Sequence, residues 1–588
     1  MIYKDIYSFI SAEENAYQSL PIQVSDGYEW HMAKHIKLTN LYKNSQYETG
    51  KNDDKPFKNI TRPILNLQYR AEGFDVKDIE LFVNEAKNYY KSFLLKKYHE
   101  KWSRENEIDI FIDDLVESYV DFGGALAKKA GAKLEVVPLQ RVAFADQTDI
   151  LSGPIAEKHF YSPEQLREMK KKGWKNIEEL ITVADYGKQY RKDLQTETPG
   201  KYIQVYEVHG CFPASWLYDD DRDYDEEEYF NQLHICAFYK DEKENRHGLT
   251  LFKGKEKELP YKLVLRDKIF GRALGLGGAE ELFEPQVWVN YDVIRIKGLL
   301  DQAAKIIYQS SDETIPARNK INALDNGSII THRPNEPLTQ INTFPVNLRV
   351  FENSTNEWEA HAQQMGAAND AILGAPPKSG TPFKLQELVT AEAHGLHDYR
   401  RGKLAVFVEQ IYRDWVIPIL AGEITNGDEF LVELDLDELQ YVTERFELNE
   451  ANRMLKEQIL NGELIRPEDI ELHKSHAREV FKKGGNKRFI KILKDEFGKA
   501  PLDVKINIAG KQKNLATQVD KLVNVFRQIV AAPQILQSPP LAKLFNQIIE
   551  ASGLSPVDFS GFAVPVPLQP QQPQLQALQP KGALEQVT

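Results

Sequence analysis

Apolar residues recur at helical spacing through most of the first 120 positions, which predicts helices with short breaks. Ala86–Asn106 carries Tyr89, Tyr90, Phe93, Leu94 and Tyr98 on one stripe. Glu107–Phe122 carries Ile108, Phe111, Ile112, Leu115, Val116 and Tyr119, and Gly123-Gly124 ends it. From Ala125 to about Phe270 the period shortens to that of strands. Leu134–Leu139, Tyr202–Val208, Leu233–Tyr239 and Tyr261–Leu265 are predicted strands, with short helices near Pro163–Lys172 and Ile177–Ala184. The glycine run Gly271–Gly278 departs from GxGxxG, because Glu280 fills the last glycine position, and reads as a flexible joint.

Helical periodicity returns at Pro285–Ser310 and again at Val346–Leu373, where Gly374 occupies the favoured C-terminal stop position. Between them Ser311–Pro345 is polar and broken by prolines, with strands expected around Gly327–Ile330 and Leu338–Thr343. Thr381 and Pro382 are a good N-cap and first helical residue for a long helix reaching Pro418. Its stripe is Leu385, Leu388, Val389, Leu396, Tyr399, Leu404, Phe407, Val408, Ile411, Tyr412 and Trp415, a length of roughly 46 Å. The remainder is mostly helical, with Asn514–Ala532 and Leu541–Ser552 the clearest helices. Strands are expected only at Glu429–Leu434 and Val504–Ile508. From 562 a Pro/Gln-rich tail has too little apolar surface to order itself. The fold class expected is α+β, mostly α-helical.

Composition narrows what such a chain does. It has 588 residues, enough for more than one packed unit, and 42% hydrophobic with 28% charged residues, as in a soluble globular protein. Neither a signal peptide nor a membrane-spanning run is expected. The two cysteines, Cys211 and Cys236, rule out a disulfide scaffold. A net charge of −14 (74 Lys+Arg against 88 Asp+Glu) argues against tight general DNA binding through phosphates.

Candidate chemistry is sparse. The stretch Gly374–Lys384 has the glycines, lysine and threonine of a phosphate cradle, but Lys378 lies before Gly380 and Pro376-Pro377 lack amide donors. The run Asp219–Glu228 lacks the spacing of a calcium loop. Asp109, Asp113, Asp114, Glu117 and Asp121 read as the solvated face of their helix. His394, His397 and Asp398 sit close enough on one helix for a metal site, so a metal-dependent hydrolase is one reading. The other is a structural or assembly protein with no catalytic, cofactor or metal residues.

The order helix, small polar module, returning helix, Pro/Gly loop and very long helix resembles the stem, clip, stem, tunnel loop and wing helix of tailed-bacteriophage portal proteins. Ile341–Pro345, Asn356–Ala362, Gly380–Glu387, Ile411–Pro418 and Lys55–Leu65 are similar in wording to portal sequences of this type. The resemblance implies a wing over 1–284, a first stem helix over 285–310, a clip over 311–345 and a second stem helix over 346–373. It implies a tunnel loop over 374–383, a long wing helix over 384–421, and a C-terminal wing and crown over 422–561, ahead of the disordered Pro/Gln-rich tail over 562–588 expected from composition.

The same resemblance implies a homo-oligomeric ring, dodecameric in the family, at one capsid vertex of the virion and in the host cytoplasm during assembly. Its partners would be double-stranded DNA passing through the channel, the terminase packaging ATPase, the major capsid protein and head–tail connector proteins, with no membrane. The tunnel loop would present Ala375, Pro376, Pro377, Lys378, Ser379 and Gly380 to DNA. The second stem helix would present Glu352, Asn356, Glu359 and Gln363. Over 346–373, Arg349 stands against Glu352, Glu357, Glu359 and Asp370, a net −3 (1 minus 4), which suits a wall that must not hold DNA. Another virion or scaffold protein is the remaining alternative.

Overall fold

The computed structural model describes residues 3–47, 55–83, 89–183, 202–218, 228–240, 246–304, 307–311, 313, 333–337, 339–341, 348–368, 394–426, 429–433, 436–462, 466–483, 489–493 and 502–506. Helix predominates over strand, so the fold is α+β and mostly α. The helices expected at Asn514–Ala532 and Leu541–Ser552, the tail, and the acidic run Asp219–Glu228 except Glu228 lie outside these residues. None of the described helices is long and apolar enough to cross a membrane.

The chain opens with helix α1 (Ile6–Ser19), a hairpin of β1 (Ile22–Ser25) and β2 (Tyr28–Trp30), and helices α2 (Met32–Lys43) and α3 (Thr61–Glu72). Strand β3 (Ile79–Val83) then precedes α4 (Tyr89–Glu105) and α5 (Ile108–Phe122). The three strands correct an expectation of helix alone; β3 exists because a partner far along the chain pairs with it, which local spacing does not register. On α5 the predicted stripe is buried in full. Its acidic side divides: Asp109, Asp113 and Asp114 are exposed, whereas Asp121 is buried on Lys43 Nζ at 2.6 Å and on the Tyr69 hydroxyl.

Eight strands follow: β4 (Gly124–Ala130), β5 (Lys133–Val136), β6 (Val142–Phe144), β7 (Ile155–Tyr161), β8 (Ile203–Pro213), β9 (Tyr229–Lys240), β10 (Arg246–Lys255) and β11 (Tyr261–Leu265). Helices α6 (Pro163–Met169) and α7 (Ile177–Val183) fall between β7 and β8. An antiparallel sheet runs β10-β9-β8-β7-β6, and a smaller one runs β11-β4-β5. The larger sheet is covered on both faces. Ile203, Val205, Ile235, Ala237 and Leu251 pack with Leu166, Ile177 and Leu180 of α6 and α7. Tyr206, Val208, Phe212 and Cys236 point the other way, into a cluster with Phe9, Ile10 and Tyr17 of α1. At the β10 edge, Lys175 N–H and the Asn176 amide donate to Leu251 and Thr250 carbonyls at 2.7 and 3.0 Å, which blunts the edge against further pairing.

Gly271–Gly278 is a packed crossing point, which corrects its reading as a flexible joint. Its residues are largely buried, and Cβ atoms at Gly275 and Gly277 would lie 2.6 and 2.4 Å from the Asp267 and Asp121 carbonyl oxygens. The buried Arg272 guanidinium ties it down, donating to the Leu274 and Gly275 carbonyls at 2.8 and 2.6 Å.

Helix α8 (Phe283–Ala303), strands β12 (Ile307–Gln309) and β13 (Thr339–Ile341), and helix α9 (Leu348–Met365) follow. Next come α10 (Gly395–Ile411), a π-helical turn over Tyr412–Val416 and α11 (Ile417–Asn426). Pro418 lacks an N–H for the Asp414 carbonyl and its ring crowds that turn, so the wide turn before it is the local relief. The 384–394 part of the expected long helix lies almost entirely outside the described residues.

The inward stripe of α10 is His397, Arg400, Leu404, Val408 and Ile411. Leu396 and Tyr399, expected inside, are 43% and 61% exposed. The apolar core formed by α5, α10 and the π turn therefore gives way to charge at the start of α10.

The chain continues through β14 (Glu429–Glu433), α12 (Leu436–Leu460), α13 (Pro467–Lys483), β15 (Phe489–Leu493) and β16 (Leu502–Ile506). β14 pairs with β15, a strand that the helical reading of this region did not anticipate, and β16 is the partner of β3.

Candidate functional site

Helices α8 and α9 form an antiparallel pair. Trp288 stacks on Trp358 with centroids 6.0 Å apart and planes 10° from parallel. Ser354 Oγ donates to Asp292 Oδ2 at 2.7 Å, and the Arg295 guanidinium lies 5.9 Å from the Phe351 ring. As the α8 number rises the α9 number falls in step, which is antiparallel register. Pro285, Gln286, Val289, Asn290 and Asp292 of α8 are buried, but none of its residues beyond Asp292 is. The outer part, 293–303, thus leaves the body for roughly 16 Å.

The root of the pair is held by amides. Gln286 Oε1 accepts from the Ile60 and Thr61 N–H groups at 2.9 and 3.1 Å and from the Thr61 hydroxyl at 3.0 Å. Helix α3 has no side-chain cap of its own, so Gln286 supplies the acceptor its first turn lacks. Gln286 Nε2 donates to the Lys58 carbonyl at 2.7 Å, and Asn290 Oδ1 accepts from Lys58 N–H at 3.0 Å. The segment Lys58–Thr61 is thereby laid across the base of α8.

Helix α9 stops at Met365, eight residues before the expected Leu373. Gly366 sits so close to Ile64 that a Cβ there would lie 2.4 Å from its methyl, and Ala367 takes a left-handed φ of 52°. Packing on α3 therefore turns the chain before the sequence signal at Gly374. Helix α8 likewise ends at Ala303 rather than Ser310. Ile307, Tyr308 and Gln309 pair instead with Ile341, Gln340 and Thr339. The strand expected at Leu338–Thr343 is present as β13, while Gly327–Ile330 lies outside the described residues.

On α9, Glu352, Asn356 and Gln363 are exposed. Glu359 is half-buried and forms an ion pair with Lys58. The loop residues Ala375, Pro376, Pro377, Lys378, Ser379 and Gly380 lie outside the described residues.

Where the pair meets the body, the carboxylate of Glu72 is ringed by cations. Arg266 donates to both of its oxygens, Nη2 to Oε1 at 2.7 Å and Nε to Oε2 at 2.9 Å, and both side chains are fully buried. His397 Nδ1 lies 3.1 Å from Glu72 Oε1, and Arg400 Nη1 lies 3.6 Å from it. Arg400 also reaches Asp267 and Glu281, at 2.6 and 2.8 Å. Burial pushes the Glu72 carboxyl up, but the hydrogen bonds from His397 and Arg266 and the charges of Arg266 and Arg400 outweigh it and hold the group below its ordinary range.

This geometry takes apart the metal reading of His394, His397 and Asp398. His397 turns inward to Glu72 and to the Ala367 carbonyl, at 3.3 Å from Nε2, whereas Asp398 takes Arg401 at 2.9 Å. Their ligand atoms do not converge among the described residues. The sequence reading missed Glu72, Arg266 and Arg400, since residues 72, 266 and 400 meet only through tertiary contacts. The one local signal was His397 and Arg400 at helical spacing with Leu404.

No protein-family model and no curated protein matches the chain. Among solved structures, a chain described as the virion of a native gene transfer agent (GTA) particle is similar, at 10% identity and a TM-score of 0.33. The match covers 93% of this chain and 99% of that one. A likeness at that level assigns no function.

Proposed function

We propose that this chain is a portal-type subunit, a structural component of a phage-like virion and not an enzyme. In this reading it assembles into a ring that conducts double-stranded DNA during packaging and ejection. It also docks the packaging ATPase and later the head–tail connector proteins. The observation that carries the reading is the antiparallel α8–α9 pair, rooted in an α+β body, leaving it beyond Asp292 and bearing a strand pair at its far end. The polar, net acidic outer surface of α9 supports it, because a conduit must not bind phosphates tightly. In a ring, Val287, Trp288 and Tyr291, exposed in the single chain, would be covered by a neighbouring copy.

Negative-stain electron microscopy of the purified protein tests this. Closed rings with a central hole are expected, and a chain that stays monomeric across salt and protein concentration overturns the proposal. Deleting 375–379 separates a portal from another virion or scaffold protein: rings persist but DNA packaging or retention fails in the former, and packaging is unaffected in the latter.

A further inference from the structure

Glu157 on β7 and Glu207 on β8 are direct cross-strand partners, and Glu157 is buried. Like charges facing each other across a ladder are unfavourable unless a cation holds them. One cation is present. Lys128 on β4 places Nζ 2.7 Å from Glu157 Oε1 and 2.9 Å from Glu207 Oε2. A third carboxylate, Glu256, stands nearby on His209 Nδ1 at 2.8 Å. Two carboxylates thus share Lys128, while the third is met by His209, and His159 is the remaining basic group.

One oxygen each of Glu157 and Glu207 turns towards His159. Glu157 Oε1 is occupied by Lys128 and by the Tyr261 hydroxyl, and Oε2 faces His159 Nε2 at 3.6 Å. Glu207 Oε1 receives His209 Nε2 at 2.9 Å, and Oε2, which already takes Lys128 Nζ at 2.9 Å, lies 2.8 Å from His159 Nε2. That approach is poorly aligned for an N–H donor, since His159 Nε2 is buried without a well-formed hydrogen bond, yet against the upward push of burial it is close enough to help hold the Glu207 carboxyl down. The imidazole nitrogen and the two carboxylate oxygens converge beside one another rather than bonding along the N–H axis.

Such convergence is what a bound metal requires. Ligand atoms about 2.1 Å from a common ion, at angles between about 90° and 120°, lie roughly 3.0–3.6 Å apart. The two separations from His159 Nε2, 2.8 and 3.6 Å, bracket that range, and the three ligand atoms all lie within 4.8 Å of one another. The side chains of His159 and Glu207 are 23% and 20% exposed, so the site opens to solvent on one side and leaves a position for water.

We infer that Glu157, His159 and Glu207 form a binding site for one divalent transition-metal ion of the zinc type. Lys128, Tyr261 and His209 hold the ligating carboxylates in position through hydrogen bonds from outside the ligand set. The ion joins β7 to β8 where the two carboxylates repel, so its effect is to stiffen the centre of the larger sheet. Lys128 competes for the same charge and keeps the affinity below that of a closed structural site.

The test uses the full-length protein, stripped with chelator and titrated with Co2+, whose visible absorption reports a bound imidazole–carboxylate site. One saturable Co2+ per chain, displaced by Zn2+ and not by Mg2+, is expected. His159→Ala and His159→Gln, both at the solvent-facing rim, should weaken binding by at least about tenfold, the scale on which even outer-shell changes act. His476→Ala, on the exposed face of α13, should leave binding unchanged. In the wild-type protein alone, Zn2+ should raise the melting temperature and Mg2+ should not. Absence of saturable binding, of that rise, or of any difference between wild type and His159→Ala in a folded sample overturns the inference.

Discussion

His397 Nδ1 lies 3.1 Å from Glu72 Oε1, and neither side chain is exposed to solvent. The contact joins α3 to the first turn of α10, and the other nitrogen of the same ring reaches the Ala367 carbonyl just after α9. Three segments far apart in the chain are thus tied through the His397 imidazole and a carboxylate that also carries Arg266. Removing that carboxylate strands a buried guanidinium. Glu72→Ala should therefore lower unfolding stability by about 3–5 kcal/mol in urea denaturation. A loss below about 1 kcal/mol would mean that water reaches Arg266 as soon as its partner is gone.

Glycine positions separate strain from collision. Gly123 has φ +74°, and a Cβ there would lie 2.3 Å from the Gly275 carbonyl oxygen. Gly131 has φ +69° with nothing nearby. Gly131→Ala should lose only the left-handed penalty, about 1 kcal/mol, while Gly123→Ala should lose roughly 3 kcal/mol or more. Thermal melts of the two variants should differ in that order; equal shifts would mean that the crossing at Gly271–Gly278 yields easily.

Stability should fall on acidification through two buried imidazoles. Burial holds His99 and His234 down at about 4, with Lys253 adding to the effect on His234. Each is neutral in the folded chain at neutral pH, while the unfolded chain takes up a proton near 6.5. Their contribution is whole above about pH 6.5 and is lost as pH drops towards 4, up to roughly 3 kcal/mol each. His99→Gln, which keeps a polar partner for the Tyr412 hydroxyl at 3.0 Å, should flatten the slope of the urea midpoint between about pH 7 and pH 5. An unchanged slope would show that the folded and unfolded chains take up the His99 proton alike, so that burial does not hold it down.

The Trp288–Trp358 stack offers a measure of the helix pair itself. A double-mutant cycle with Trp288→Ala and Trp358→Ala should give a coupling of about 1 kcal/mol. Zero coupling would mean that the helices are held by Ser354–Asp292 and the buried root alone.

If the proposed ring forms, the charge of α9 is testable on it. Glu352→Lys with Gln363→Lys places new cations at two exposed positions. Rings should still form, and double-stranded DNA should now be retained in gel-shift experiments at low salt and released as salt rises. Variant rings that ignore DNA would place these residues away from the channel of the proposed assembly.

Periodicity by itself determined the α5 stripe and the apolar run from Leu404 in α10 to Trp415 in the π turn. In each, one apolar face packs against one partner layer, so local spacing carries the information. Stops and polar pairings were decided by tertiary structure. Met365 ends α9 because Gly366 meets Ile64, and Ala303 ends α8 near the point where Ile307–Gln309 find a strand partner at Thr339–Ile341. The charged start of α10 was likewise hidden, since Leu396 and Tyr399 fit an apolar stripe as well as any residues do. Only the buried Glu72–Arg266 pair makes His397 and Arg400 the inward choice. A charge can be buried only where its counter-charge arrives, and that arrival depends on the fold as a whole rather than on neighbours in the chain.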